Sequence, residues 1–243
     1  MRIIIEKDYE AMSKKSAEIL AEVVKEKPEA VLGLATGGTP VSMYRNLIDM
    51  NKEGKIDFSK VTSVNLDEYK GLSGDHDQSY RYFMNNNLFN HINIDKKNTY
   101  VPNGLAEDIE KECSEYDKRI ENLGGIDLQL LGIGNNGHIG FNEPDDFLHM
   151  STHLTGLTEG TIEANARFFD KKEDVPTEAI TMGLGGIMKA KKILLIASGE
   201  NKAEIISKLV EGKITTQVPA TLLQVHPNVT IVVDEAAASL LKK

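Results

Sequence analysis

Short apolar runs alternate along the chain with longer segments in which apolar residues recur at helical spacing. The apolar runs predict strands at Arg2–Glu6, Ala30–Ala35, Val61–Leu66, Asp127–Ile133, Lys191–Ala197 and Val229–Asp234. Several of these runs are apolar at nearly every position, which is typical of parallel strands that are covered on both faces.

Helical spacing predicts helices between these strands. The first carries Met12, Ile19, Leu20, Val23 and Val24 on one face, the second carries a stripe from Met43 to Met50, and the others cover Ser79–Phe89, Ala106–Leu123, Asn201–Glu211 and Glu235–Lys242. Strand–helix alternation favours right-handed crossovers and a doubly wound α/β fold, in which helices cover both faces of a mostly parallel, Rossmann-like sheet. No repeat or linker interrupts residues 1–243, so we expect a single domain.

One segment departs from this alternation. Residues 145–161, DDFLHMSTHLTGLTEGT, show no clean period. A long irregular segment within a compact domain is often a functional lid. We therefore expect a mobile lid here.

Composition narrows the possible partners. The chain has 243 residues, a formal net charge of −9 and a pI of about 5.2. No basic stripe suggests nucleic-acid binding, and a phosphorylated ligand would need local positive potential against the acidic background. No apolar run approaches the roughly 20 residues of a membrane span, and the start lacks the apolar core of a secretory signal. The single Cys113, in a predicted helix, fits a reducing cytoplasm.

In open α/β sheets, ligands bind beyond the carboxyl ends of the strands, and three such ends carry candidate chemistry. The first is LATGGTP, Leu34–Pro40, where Gly37 and Gly38 permit close approach of the backbone. Thr39 is a suitable N-cap and Pro40 suits a first helical turn. This pattern fits either an anion cradle or simply a tight turn.

The second strand end is NLDEY, Asn65–Tyr69. Asp67 and Glu68 are adjacent, so in extended chain they point to opposite sides and only one can face a common site. Asp67 directly follows the apolar run, so it is either a base at a strand end or part of an exposed acidic turn.

The third strand end is GIGNNGHIGFNEP, Gly132–Pro144, which holds four glycines, one histidine and one carboxylate. The glycines allow His138 and Glu143 to project together into a crevice near Asp67, which suits proton shuttling. A flexible turn with a solvated histidine is the alternative. Zinc requires more ligands than this stretch offers, and Asp75-His76-Asp77 is better explained as a charged loop, so we expect no required metal.

These motifs, with ANARFFD and SGENKA later in the chain, resemble glucosamine-6-phosphate deaminases in order and spacing. The resemblance runs from Met1 to near the C-terminus, and the FNEP motif is its most specific part. It implies conversion of D-glucosamine 6-phosphate and water to D-fructose 6-phosphate and ammonia, with a small sugar phosphate as partner and without a metal or organic cofactor.

The resemblance also implies roles for individual residues. Asp67 would move a proton between C2 and C1, His138 would open the pyranose ring, and Glu143 would orient and charge that histidine. The implied phosphate ligands are Thr36, Gly37, Gly38, Thr39, Arg167 and Lys202. These groups would supply the positive potential that the chain otherwise lacks.

Two departures from the family pattern affect these expectations. Many members have aspartate where this chain has Asn136, which can orient His138 but adds no negative charge. Some members are hexamers activated by N-acetylglucosamine 6-phosphate through basic residues after FNEP. Here no Lys or Arg occurs between Pro144 and Arg167, and the C-terminus is short. We expect a monomer or small homo-oligomer with weak or absent allostery.

Two other functions stay open at this point. A 6-phosphogluconolactonase shares the fold and a glycine-rich GH motif, but it needs no proton transfer at C2. A non-catalytic sugar-phosphate sensor would keep the phosphate cradle without needing Asp67, His138 and Glu143. Release of ammonia separates the deaminase from both.

Overall fold

Helices and strands alternate over most of the computed structural model, which describes residues 1–166, 169 and 171–242. The described strands are β1 (Arg2–Glu6), β2 (Val31–Leu34), β3 (Thr62–Asn65), β4 (Asp67–Tyr69), β5 (Thr99–Tyr100), β6 (Leu128–Leu131), β7 (His153–Gly156), β8 (Glu178–Thr181), β9 (Lys192–Ala197) and β10 (Val229–Asp234). The described α-helices are α1 (Tyr9–Glu26), α2 (Val41–Lys52), α3 (Tyr80–Asn87), α4 (Ile109–Asn122), α5 (Glu159–Ala166), α6 (Leu184–Met188) and α7 (Ala203–Glu211).

The main sheet has seven parallel strands in the order β1-β10-β9-β6-β2-β3-β5. The six strands predicted from apolar runs are all present in it, so the doubly wound α/β prediction is confirmed. The chain proceeds outwards from β2 to β3 and β5, returns to β6 beside β2, and then proceeds outwards in the other direction. This reversal between β2 and β6 is a topological switch point, where open α/β sheets bind their ligands.

The sheet is held by apolar burial on both faces. All four residues of β2 and of β6 are buried, and so are all but the first residue of β9. Helix α1 packs its buried stripe against this core and begins at Asp8, whose carboxylate accepts a hydrogen bond from the Ala11 backbone N–H at 2.8 Å. Among the described helices, none combines the length and hydropathy that a bilayer crossing requires.

A second, antiparallel sheet has the order β4-β8-β7 and was not predicted from the sequence. Its strands are three or four residues long and mix polar with apolar positions, so they give no run that stands out from a loop. The strand β7 and the first turns of α5 fall within residues 145–161, so the prediction that this whole segment is irregular was wrong. Its mobility as a lid stays a prediction.

The predicted helix at Glu235–Lys242 was also wrong. Residues 235–240 form successive turns. The Asp234 carboxylate accepts the Ala237 N–H at 2.8 Å, and the backbone bonds that follow include three-residue as well as four-residue spacings. Apolar spacing alone could not reveal this, since a series of turns buries Ala237 and Ala238 as a short helix would.

Candidate active site

Four neighbouring strands of the main sheet, β9, β6, β2 and β3, deliver the sequence motifs to the same edge. Because the strands are parallel, the residues that follow each of them emerge on one side. These are the turn at Thr36–Thr39, the Asp67–Tyr69 strand, the loop Gly134–Pro144 and the turn at Ser198–Lys202. The structure thus groups the three motifs singled out from the sequence.

Asp67 is the first residue of β4 and is only 7% exposed. It lies opposite Thr181 in the antiparallel pairing with β8. Burial, together with the neighbouring negative charge of Glu68, raises the pKa of Asp67 to about 8. The exposed-turn interpretation of NLDEY is wrong, because both carboxylates of this stretch are buried.

The imidazole of His138 and the carboxylate of Glu143 form a close pair. Nδ1 of His138 lies 3.1 Å from Oε2 of Glu143, and the two side chains are 21% and 9% exposed. Burial opposes ionisation of Glu143, but the hydrogen bond and charge of His138, with further donors, lower its pKa to about 2. An ionised carboxylate only accepts hydrogen bonds, so Nδ1 carries a proton and Nε2 is the ring atom left for a substrate.

Three other side chains among the described residues donate hydrogen bonds to Glu143, and the longest of these bonds is from the Thr158 hydroxyl to Oε1 at 3.4 Å. Thr161 donates its hydroxyl to Oε1 at 2.5 Å, and Asn136 donates Nδ2 to Oε2 at 2.6 Å. The side-chain oxygen of Asn136 accepts the backbone N–H of His138 at 3.2 Å. Asn136 therefore orients the histidine through its backbone and through Glu143, rather than from behind the ring.

The glycines of this loop are required by close contacts. Gly137 and Gly140 have φ of 89° and 58°, a region that other residues rarely adopt. A Cβ on Gly134 would lie 2.3 Å from Cε1 of His138, so the ring packs directly on that backbone. A Cβ on Gly140 would lie 3.0 Å from Thr181 Oγ1 and 3.7 Å from Asp67 Oδ2. The space beside Gly140 is thus bounded by Asp67, so the loop that carries His138, termed the histidine loop, passes beside the Asp67 carboxylate two residues after His138.

The turn after β2 contains the four predicted phosphate ligands, Thr36, Gly37, Gly38 and Thr39. Gly37 has φ of 100°, and no atom lies within 4 Å of the position of its absent Cβ. Helix α2 begins one residue later than predicted, with Pro40 rather than Thr39 at the N-cap and no side-chain cap bond. Tyr9 instead secures this turn by donating its hydroxyl to the Thr39 carbonyl at 3.1 Å.

Lys202 joins two of the strand-end loops. Its Nζ donates to the Ile133 carbonyl at 2.8 Å and to Oδ1 of Asn135 at 2.6 Å. The turn that precedes it is fixed by Asp234, which accepts hydrogen bonds from the Ser198 hydroxyl and from the Gly199 N–H. Lys202 is the N-cap residue of α7, at the N-terminal end of the helix predicted over Asn201–Glu211, and its cation lies beside the start of the histidine loop.

Three further expectations concern Arg167, Cys113 and metal binding. The predicted phosphate ligand Arg167 lies outside the described residues. Cys113 is a buried residue of α4, as predicted, and burial raises the pKa of its thiol to about 11. Within the part of the chain that the structure describes, no group of three or more His, Cys, Asp or Glu side chains could hold a metal ion.

A cavity lies next to the site and contains residues that the sequence did not single out. Its lining includes Gly37, Tyr69, Tyr80, Asn165 and Phe169. Asn165 donates Nδ2 to the Tyr69 hydroxyl at 2.9 Å, which links α5 to β4. Tyr69 could have been found by noting that it shares a strand face with Asp67. Thr161 lies in a segment without any sequence signal.

The comparison with protein families agrees with this geometry. A family described as glucosamine-6-phosphate isomerases/6-phosphogluconolactonase matches residues 6–232. The chain belongs to this family. A relative named glucosamine-6-phosphate deaminase from Clostridium perfringens (strain 13 / Type A) is 69% identical over 242 residues. The match covers 100% of this chain and 100% of that relative.

Further relatives of this family support the same relationship. A glucosamine-6-phosphate deaminase from Thermoanaerobacter pseudethanolicus is 62% identical over 99% of this chain and 95% of its own length. A solved structure described as a monomeric glucosamine-6-phosphate deaminase is 48% identical, with a TM-score of 0.97 over 99% of this chain and 100% of that chain. A 6-phosphogluconolactonase from Trypanosoma brucei has a TM-score of 0.76 over 99% of this chain and 98% of that chain, but its 16% identity shows the shared fold alone.

Proposed function

We propose that the protein is a glucosamine-6-phosphate deaminase, which converts D-glucosamine 6-phosphate and water to D-fructose 6-phosphate and ammonia. The observation that carries the proposal is the arrangement of a buried Asp67 against the loop that holds the His138–Glu143 pair. The reaction requires two proton-transferring groups, Asp67 and His138, and an anion, Glu143, that orients and charges the histidine; all three are present in a chain of this family.

The first step is opening of the pyranose ring. It requires a group that gives a proton to the ring oxygen and takes one from the O1 hydroxyl near neutral pH, and imidazole suits this exchange. Nε2 of His138 is the exchanging atom, because Nδ1 donates to Glu143. The Glu143 carboxylate stabilises the imidazolium that forms when Nε2 accepts the proton.

The second step is isomerisation of the open-chain sugar. Asp67 in its ionised form removes the proton from C2 while O1 takes a proton from the substrate's ammonium group, which gives an enolamine, and the protonated Asp67 then returns its proton to C1. The nitrogen then forms an imine at C2, water adds to that carbon, and ammonia leaves as the C2 ketone forms. Burial of Asp67 favours this role, because a raised pKa strengthens the carboxylate as a base.

The phosphate group anchors the substrate at a distance from the reacting carbons. We assign this role to the Thr36–Thr39 turn and Lys202, with Arg167 as a further ligand. The open backbone turn offers N–H groups, and the lysine offers a charge-assisted donor. Anchoring by phosphate fixes the orientation of C1 and C2 relative to Asp67.

The proposed chemistry uses neither a metal nor an organic cofactor, since each step is a proton transfer or the addition or loss of a small molecule. We also propose a monomer or small homo-oligomer in the cytoplasm, where charged sugar phosphates are retained.

Asp127 is a buried carboxylate at the opposite end of β6 from the site. It is neutralised by ion pairs with Lys27 at 2.7 Å and with Lys191 at 2.8 Å. Asp127 therefore has a structural role, and its substitution can be compared with substitution of Asp67.

The test is a coupled assay in which fructose 6-phosphate and ammonia are followed together from glucosamine 6-phosphate. Wild type is expected to release both in equal amounts, and Asp67→Asn is expected to lower kcat by about 10²- to 10⁴-fold, as is usual for loss of a general base. Asp127→Asn, at another buried aspartate, should keep kcat per folded molecule. Hydrolysis of 6-phosphogluconolactone without ammonia release, or binding without turnover, would refute the proposal.

A further inference from the structure

Glu68 is a buried carboxylate next to Asp67 that the chemistry above leaves without a role. It is 2% exposed and lies in the middle of β4. Since successive side chains of a strand point to opposite faces, Glu68 points away from the face that Asp67 shares with Tyr69. A carboxylate is rarely buried this fully without a specific partner, so its contacts need an explanation.

The partners of Glu68 are backbone N–H groups at the start of α3. Its Oε1 accepts the N–H groups of Tyr80 and of Tyr69, each at 2.9 Å, and its Oε2 accepts the N–H of Arg81 at 3.0 Å. Tyr80 and Arg81 are the first two residues of α3, whose N–H groups have no partner within the helix. Ser79 caps the third by accepting the Tyr82 N–H at 3.1 Å.

The contacts continue from the start of α3 to both halves of the site. The rings of Tyr80 and Tyr69 have centroids 4.7 Å apart, and the ring of Tyr80 stacks on Phe141 with centroids 6.1 Å apart and planes 14° apart. Phe141 follows Gly140, which lies beside Asp67, and precedes Glu143 by two residues. Arg81 ties the same turn of helix to Thr99 at 2.8 Å.

We propose that Glu68 is a positioning residue for the reaction, which holds Asp67 and the histidine loop in register by fixing the start of α3 to β4. The inference rests on the proposed deaminase function. Glu68 does not touch the substrate, because it lies on the opposite face of β4 from Asp67. Its effect reaches the substrate through the orientation of Asp67 and through the contacts of Tyr80.

Glu68 also acts on Asp67 through charge. Its negative charge adds to burial in raising the pKa of Asp67. Other titratable groups on which the charge of Asp67 acts are the hydroxyls of Tyr69 on β4, Tyr80 on α3 and Tyr116 on α4. Burial raises the pKa of each of the three tyrosines, so they stay neutral over the working range. Burial also raises the pKa of Glu68 itself to about 7, against the backbone N–H groups and the charge of Arg81, so Glu68 is anionic above that pH, where Asp67 titrates.

Two substitutions separate the effect of the charge of Glu68 from the effect of its side-chain length. In Glu68→Gln the shape is kept, but one acceptor becomes a donor that faces a backbone N–H, and the charge is lost. In Glu68→Asp the charge is kept, but the oxygens are withdrawn from α3. Asp108→Asn is the matched control, because Asp108 likewise accepts a backbone N–H at a helix start, that of Lys111 at 2.9 Å, but caps α4 rather than α3.

The experiment measures kcat, KM and the pH–rate profile of these variants with glucosamine 6-phosphate, alongside thermal melts. For both Glu68 variants we expect kcat to fall by about tenfold or more with KM within about twofold, because phosphate anchoring is untouched. The acidic limb should move to lower pH in Glu68→Gln and stay near its wild-type position in Glu68→Asp. Asp108→Asn should retain kcat and both limbs.

Several results would overturn this role. They are an unchanged kcat in both Glu68 variants, a loss of activity that only parallels the loss of folded protein, and an acidic limb that moves equally in both. If Glu68→Gln does not fold, the test uses Glu68→Asp together with Ser79→Ala, which removes the other cap of the same helix start. Each of these two variants must lower kcat at unchanged KM, and the positioning role is refuted if either does not. Wild type in the same assay keeps the proposals apart, since an inactive wild type refutes the deaminase function itself.

Discussion

Asn136 and Glu143 share a hydrogen bond of 2.6 Å, from Nδ2 to the same carboxylate oxygen, Oε2, that contacts Nδ1 of His138. This oxygen therefore receives two donors, one from a neutral amide and one from the ring. Glutamate 143 is held as an anion by these contacts, by the charge of His138 and by Thr161. The pair is thus an ordered unit rather than a histidine in a flexible turn.

Replacement of Asn136 by aspartate tests this unit. Asn136→Asp replaces the donor to Glu143 by a second negative charge, which favours the protonated form of His138 and disfavours ionisation of Glu143. We expect activity to be retained and the pH optimum to move, at a stability cost on the order of 1 kcal/mol for the lost hydrogen bond. The pH–rate profile measures this. An unchanged profile, or an equal shift in Asn122→Asp at an exposed position, would contradict the coupling.

Removal of the Thr161 hydroxyl tests the other oxygen of Glu143. Thr161→Val deletes a bond to an ionised carboxylate, which is worth about 1.5–3 kcal/mol when buried, so the free energy of unfolding at pH 7 should fall. The pKa of Glu143 is lowered in the folded protein, so the stability it contributes is present above the unfolded value of 4.5 and is lost as pH falls towards about 2.

The variant should therefore lose less stability than wild type between pH 5 and pH 2, by the same linkage. Urea unfolding at several pH values measures this difference. The control is Thr155→Val, because the Thr155 hydroxyl bonds only locally, to the Gly156 carbonyl. Equal pH dependence in wild type and Thr161→Val would show that this hydroxyl does not stabilise the Glu143 anion.

Asp67 should give stability the opposite dependence on pH. Its pKa is raised from the ordinary value of 3.8 to about 8, so the folded state binds more protons than the unfolded state between these values. This contribution is full below about pH 4 and is lost as pH rises towards 8. In Asp67→Asn it is absent, so the stability of the variant relative to wild type should rise from pH 5 to pH 8 by more than about 1 kcal/mol.

Denaturant unfolding of Asp67→Asn and wild type at pH 5 and pH 8 measures this rise. Asp127→Asn serves as the contrast, because the pKa of Asp127 is lowered: burial opposes this shift, but Lys191 and Lys27 outweigh it. Relative stability of that variant should not rise with pH. A constant difference between Asp67→Asn and wild type would mean that Asp67 is ionised at low pH in the folded protein.

Lys202 should act mainly on substrate affinity. Lys202→Met removes a charge-assisted donor, so we expect KM for glucosamine 6-phosphate to rise by about 10- to 100-fold, with a smaller change in kcat. Lys208→Met on the exposed side of α7 is the control, because Lys208 pairs with Glu204 at 2.7 Å. Steady-state kinetics measure both, and an unchanged KM in Lys202→Met would exclude it as a phosphate ligand.

Kinetics without cooperativity are the final expectation. The segment from Asp145 to Ala166 contains no Lys or Arg, so a phosphorylated effector would find no cation of that segment to bind. Velocity should rise hyperbolically with substrate, and N-acetylglucosamine 6-phosphate should not activate. Light scattering should give a monomer or small oligomer. Sigmoidal kinetics relieved by that effector would contradict this expectation.

The sequence predicted the parts of the fold that are defined by burial. The strand ends that carry Asp67, His138 and Lys202 were predicted because apolar runs identify central strands, and the turns follow from where the runs stop. The packing between those ends was not predictable. Nothing in the local pattern shows that Thr161 contacts Glu143, because that contact depends on how α5 packs against the histidine loop.

The small antiparallel sheet was missed for a related reason. Its strands are stabilised by pairing with partners distant in the chain, as Asp67 with Thr181, and not by an apolar pattern of their own. Glu68 was only partly predictable for the same reason. Its position next to Asp67 predicted that its side chain points to the opposite face of the strand, but not that it accepts hydrogen bonds from the start of α3. The site residues are positioned by contacts between segments that are distant in the chain, and such contacts are difficult to predict from a single sequence.

The pairing of Thr181 limits which insertions and deletions the chain can accept. Thr181 lies opposite Asp67 on one side and opposite His153 on the other. Successive side chains of a strand point to opposite faces, so a shift of one residue moves each side chain to the other face. A one-residue insertion at the start of β4 would therefore turn Glu68 towards the site and Asp67 away from it. Length changes between natural variants of this protein should therefore fall in exposed loops such as residues 74–77, and length within β4 and β8 should be invariant.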